Sequence, residues 1–191
     1  HMNSMPWEQI LDRAIRLKYR SHQTSTCGLH IHVSRYAFGD TEREQDECIA
    51  RILYFFEKHW DELLKFSRRT RSQLNRWAAR YAAISDSPKE TYDKAKGKRM
   101  GRYCAVNIQN YDTVEFRLFR GTLRYSTFLA SLQLVDEICR CAIDMTDREM
   151  EEMSWLDFVQ KIPPEKAELI DYLKEKRLYV TEAVAVVREG E

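Results

Sequence analysis

No apolar run approaches the about 20 residues that a membrane-spanning helix needs. No secretory leader opens the 191-residue chain either, so a soluble, cytoplasmic protein without a membrane partner is expected. Internal repeats and a Gly-rich phosphate loop are both absent, which argues against solenoids and P-loop nucleotide sites. The five cysteines, at 27, 48, 104, 139 and 141, contain no Cys-x-x-Cys pair. Cys139 and Cys141 fall in a helical pattern, where positions i and i+2 do not face each other. A zinc site is therefore not expected, and reduced thiols packed in a core are.

What is present suffices for a folded domain. Hydrophobic residues make up 43% of the chain and aromatics 12%, which excludes global disorder. The reading is a single α+β domain over residues 3–180, with 181–191 a tail and His1-Met2 a cloning remnant. The net charge of +1 conceals an asymmetry: residues 65–102 hold 12 Lys/Arg against 3 Asp/Glu, and residues 136–191 hold 8 against 15. Such a split points to a polyanion-facing side, to a self-complementary homodimer, or to both.

The chemistry concentrates in two strands. Cys27-Gly-Leu-His-Ile-His-Val-Ser34 alternates with period two, so His30 and His32 project to one face and Leu29, Ile31 and Val33 to the other. Neutral imidazole is a common metal ligand and a proton carrier near neutral pH. Residues 103–109 and 113–119 read as a hairpin around Asn110-Tyr111-Asp112. In its second arm Glu115 and Arg117 share a face with Thr113 and Phe119, while Val114, Phe116 and Leu118 share the other. Arg120-Gly121-Thr122 then forms a polar turn able to meet an anion. Aligned in one sheet, His, His, Glu and Arg converge. The alternatives are a solvent-exposed His pair and a plain cross-strand ion pair at Glu115 and Arg117.

Helical patterns surround these strands. Trp7–Tyr19 reads as a first helix, covering one sheet edge unless a second chain pairs there. Thr41-x-x-Glu44 opens a long helix with an Ile49, Ile52, Leu53, Phe56 stripe. A further helix over Phe66–Ile84, broken near Ser67, carries Arg68, Arg69, Arg71, Arg76 and Arg80. Ser85–Gly101, with Lys96, Lys98 and Arg99, reads as an exposed loop. These cations fit a solvated face. Interleaved with Trp77, Tyr81, Tyr92 and Tyr103 they also fit a protein or nucleic-acid partner. A third option is that they face ATP or an acidic substrate. A helix around Leu129–Ile143, two capped short helices from Thr146 and Ser154, and a helix over Lys166–Lys176 complete the reading.

The His strand, together with Thr113-Val-Glu-Phe-Arg-Leu-Phe-Arg-Gly-Thr-Leu123, resembles the amidoligase family of carboxylate–amine ligases related to glutamine synthetase, frequent in phages and mobile elements. The resemblance runs from about Trp7 to about Tyr179 and corresponds to the C-terminal portion of the family. It implies a barrel-like antiparallel sheet, with helices on one face, holding ATP and Mg²⁺. It also implies metal binding by His30 and Glu115, a nucleotide-side role for His32, and phosphate contacts by Arg117 and Arg120. The family's Glu-x-Glu strand, which completes its metal site, has no counterpart in the 26 residues before Cys27, where Glu8 and Asp12 lie on an amphipathic helix.

Two functions follow. One is a truncated, non-catalytic protein that binds macromolecules, for instance an anti-CRISPR inhibitor of host defence; the absent acidic strand tips the sequence reading this way. The other is an ATP- and Mg²⁺-dependent ligase whose remaining acidic ligands come from a further N-terminal half or a partner chain.

Overall fold

The computed structural model describes residues 5–21, 24, 27–81, 87–97 and 103–181. Its sheet has three antiparallel strands in the order β1 (Gly28–Ser34), β3 (Thr113–Arg120), β2 (Val106–Asn107). Helices α1 (Trp7–Arg16), α2 (Glu42–Lys58), α3 (Trp60–Ser67), α4 (Arg71–Trp77), α5 (Pro88–Gly97), α6 (Tyr125–Asp144), α7 (Asp147–Glu152), α8 (Trp155–Lys161) and α9 (Ala167–Glu175) make the fold α+β. No helix among the described residues is long and apolar enough to cross a membrane.

The core lies on one side of the sheet. Ile31, Val114, Phe116 and Leu118 point into it, and the buried stripe of α2 and the inner face of α6 pack there. Phe56 meets Phe116 at 5.8 Å between ring centroids, which ties α2 to the central strand. Thr41, Thr70, Thr146 and Ser154 each close a capping box at the start of their helices, satisfying donors that would otherwise be orphaned.

The structure departs from the sequence pattern in four places. The long helix breaks at His59; the break expected near Ser67 falls at Arg68, which lies in the left-handed region (φ 57°), and the helix after it, α4, ends at Trp77, while 82–84 lie outside the described residues. Residues 88–97 form α5 rather than an exposed loop. Pro88 suits the first helical position, and Thr91, Tyr92 and Ala95 bury a face against α2. α1 packs through Trp7 on Phe128 at the start of α6, ring centroids 5.1 Å apart, and makes no comparable packing along a sheet edge.

The fourth departure is a β-bulge. Leu29 pairs with Phe119 and Ile31 with Phe116, so Arg117 and Leu118 together oppose His30. The strict alternation of β3 is thereby reset. Phe119 does not share the face of Glu115 and Arg117; it is buried in the core beside Phe66. Arg120, paired with Gly28, takes the polar face instead.

Candidate functional site

The sheet face opposite the core carries a row of three polar side chains. His32 and Asn107 both pair in register with Glu115, one on each flanking strand. Glu115 is the buried centre of that row. Asn107 Nδ2 donates to Glu115 Oε2 at 2.9 Å. The amide is oriented by the backbone of Gln109, whose N–H donates to Asn107 Oδ1 at 3.0 Å.

The other carboxylate oxygen faces a guanidinium and two imidazoles. Arg117 Nη1 donates to Glu115 Oε1 at 2.6 Å, His30 Nδ1 lies 3.0 Å from the same oxygen, and His32 Nε2 lies 3.7 Å away. Burial alone would raise the Glu115 carboxyl, but hydrogen bonds from Asn107 and Arg117 overcome it and hold the group below its usual range. Burial, reinforced by Arg117, depresses His30, which favours the neutral imidazole. His32 Nδ1 is in hydrogen-bond contact with Thr113 Oγ1 at 3.0 Å, which fixes the ring over the strand end.

Beyond the bulge the face becomes cationic. Arg117 stacks over Tyr103, 5.8 Å from guanidinium carbon to ring centroid, while Arg120 follows three residues later on the same face. Arg69 reaches in from the turn after α3 and donates from Nη2 to the Phe119 carbonyl at 2.8 Å. Burial first, then Arg117 and Arg120, lower its pKa, so three guanidinium groups share one electrostatic neighbourhood.

His30, His32, Glu115, Arg117 and Arg120 thus come together as the sequence pattern expects. The rest of the basic stretch divides. Arg71 pairs with Asp61 at 3.2 Å, Arg80 with the buried Glu57 at 2.7 Å, and Lys96 with Asp46 at 2.9 Å. Arg76 lies over the Trp77 ring at 4.7 Å, and Arg68 lines a shallow cleft with Asp12, Tyr19 and Arg124. Lys98 and Arg99 lie outside the described residues. Asn107 belongs to the site although the sequence pattern did not single it out, and Tyr103, read as one of the aromatics among the cations, lies against Arg117. An Asn between Val106 and Ile108 in a strand was the available signal.

Mg²⁺ does not fit these side chains by themselves. Both Glu115 oxygens already have partners, and among the described residues no group of three or more His, Cys, Asp or Glu is arranged to hold a metal ion. An anion does fit, because among the described residues the guanidinium groups of this face outnumber its carboxylate. The family model described as "Putative amidoligase enzyme" matches residues 3–139. No curated protein and no solved structure matches the chain.

Proposed function

The chain belongs to the amidoligase family, and from that premise we propose that it acts in ATP-dependent joining of a carboxylate to an amine, its polar sheet face holding the phosphates of the nucleotide. The observation that carries this reading is that Arg117, at the bulge, and Arg120, beyond it, lie on one face with Glu115 as the nearby carboxylate. ATP supplies the activating phosphoryl group of such a reaction. Arg117 and Arg120 would bind its phosphate oxygens and offset the charge that moves with the transferred group. His30, held neutral, is suited to accept the proton that an attacking amine releases. Glu115 holds Arg117 along the strand, and Asn107 keeps Glu115 in place. The acidic ligands of a divalent cation would come from outside the described residues.

The alternative, a non-catalytic polyanion-binding protein such as a defence inhibitor, draws on the basic stretch over 65–102. That stretch supports it weakly, since Arg71, Arg80 and Lys96 are neutralised by carboxylates of the same chain. Calorimetric titration with ATP discriminates. Binding that is lost in Arg117→Gln, with release of ADP stimulated only when a carboxylate and an amine are both present, is the expected result. ATP affinity that is absent or indifferent to Arg117→Gln would overturn the ligase reading.

A further inference from the structure

We propose that Arg69 is a third anion-binding arginine of this site, carried by the turn after α3 and accommodated there because residue 28 is a glycine. The inference rests on the ligase reading above and adds a residue from outside the sheet. Three observations bear it. First, a Cβ built on Gly28 would lie 2.5 Å from Arg69 Nη2 and 3.1 Å from His30 Nε2, so the guanidinium occupies the space a side chain would fill, beside His30. Gly28 pairs with Arg120, which sets Arg69 over the row that holds the two sheet arginines.

Second, the Nε atoms of Arg69 and Arg117 are both buried, and neither has a hydrogen-bond partner among the described residues. Buried donors are nearly always satisfied, and a guanidinium is least able to go without, because it cannot shed its charge. Two such atoms on neighbouring arginines are what a bound anion would complete.

Third, Arg69 has no carboxylate partner among the described residues: Glu115, the acidic group of the row, is committed to Arg117, His30 and Asn107, and a bound anion would supply the missing partner. The turn itself is built to hold Arg69 there. Arg68 adopts φ 57°, which bends the chain back towards the sheet, Ser67 Oγ accepts from the Arg69 N–H at 3.1 Å, and the Phe119 carbonyl anchors Nη2 at 2.8 Å.

The test is equilibrium binding of inorganic pyrophosphate to the full chain at fixed low ionic strength, with melting temperature followed in parallel. Four variants are compared: Arg69→Gln, Arg69→Lys, Gly28→Ala and Arg117→Gln. Arg69→Gln should weaken binding by about tenfold or more, as expected for the loss of a charge-assisted contact. Arg69→Lys should recover part of it, since charge returns without the planar fork. Gly28→Ala retains the arginine; its Cβ would meet the flexible end of Arg69 and, at 3.1 Å, His30 Nε2, so the fold should persist while the guanidinium is displaced and affinity falls. Wild-type affinity in both Arg69→Gln and Gly28→Ala, with loss in Arg117→Gln, would make Arg69 a structural clamp and leave the ligase reading standing. Failure of the wild type to bind pyrophosphate would overturn both. If Arg69→Gln does not fold, Gly28→Ala and Arg69→Lys decide the matter.

Discussion

Arg117 lies two residues beyond Glu115 on the same strand, and its Nη1 sits 2.6 Å from Glu115 Oε1. Two side chains of one strand face thus form a closed ion pair along the strand rather than across it. The consequence is rigidity at the centre of the site: Asn107 and His30 hold the carboxylate from the sides, and Tyr103 lies against the guanidinium. Arg117 is thereby presented in one orientation before any ligand arrives, which lowers the ordering cost of anion binding.

The pair also makes stability depend on pH. Glu115 in the folded protein sits below its ordinary carboxyl value of 4.5, so the ionised form is the one folding prefers. Its contribution is fully present above that value and is lost as pH falls through the folded pKa. Glu115→Gln should therefore destabilise the protein by about 3 kcal/mol at pH 7, because a buried cation loses its counter-ion. The gap to wild type should begin to close below pH 4.5, where the unfolded chain takes up the proton, and should shrink until the pH has fallen through the folded-state pKa. Urea denaturation of both proteins from pH 7 to pH 3.5 measures this, and a gap independent of pH would contradict it.

Within the basic stretch, neighbouring arginines should behave differently. Arg80 is bonded to Glu57, whose carboxylate is only 3% exposed and also accepts from the Tyr81 backbone N–H. Removing Arg80 strands a buried charge, so Arg80→Ala should cost about 3 kcal/mol. The Arg71–Asp61 pair is open to solvent on both sides, and Arg71→Ala should stay within about 0.5 kcal/mol of wild type. Denaturant midpoints of the two variants test the contrast. Equal, negligible losses would return Arg80 to the solvated surface.

What the sequence made legible was local periodicity. The period of two in residues 28–34 and 113–117 located both strands and the face shared by His30, His32, Glu115 and Arg117. The capping boxes at Thr41, Thr146 and Ser154 marked their helices for the same reason, since the signal lies within four residues. The bulge at Arg117 and Leu118 left one trace, the consecutive apolar residues Leu118 and Phe119 that interrupt the alternation of Thr113–Arg120, but only pairing with β1 shows where the extra residue is inserted. Helix α5 was hidden by Pro88, Gly97 and its lysines. It is held by long-range contacts, with the Tyr92 hydroxyl donating to Asp46 and Lys96 pairing with the same carboxylate. The role of Arg69 depends on a left-handed turn at Arg68, for which an arginine gives no warning.

The bulge itself can be tested at Phe119. With uninterrupted alternation this ring would share the polar face, and its truncation would be nearly neutral. In the structure it is 2% exposed and meets Phe66 edge-on at 6.0 Å. Phe119→Ala should therefore cost about 3–5 kcal/mol, the range for emptying a buried aromatic site. A loss below about 1 kcal/mol in equilibrium denaturation would mean that the register continues without a bulge.

A second pH response should originate far from the polar face, at His59. This imidazole is buried at the junction of α2 and α3, 4.7 Å from the Phe55 ring and 5.6 Å from the Trp155 ring by centroids. Its Nε2 has no partner among the described residues. Burial, followed by the charge of Lys58, lowers its pKa from 6.5 to about 4. Above 6.5 both folded and unfolded chains hold a neutral imidazole, and the full stability is present. Between 6.5 and about 4 only the unfolded chain takes up the proton, so stability drains away as the pH falls. At 1.36 kcal/mol per unit, the loss attributable to His59 reaches about 3 kcal/mol by pH 4. His59→Phe keeps a ring among the aromatics and removes the titration. It should match the wild type to within about 1 kcal/mol at pH 7.5 and exceed it progressively from pH 6.5 downward. Differences between the two proteins cancel the contributions of Glu115 and His30, which both retain. Melting curves at pH 7.5, 5.5 and 4.5 give those differences, and parallel profiles would show that His59 does not remain neutral in the folded core.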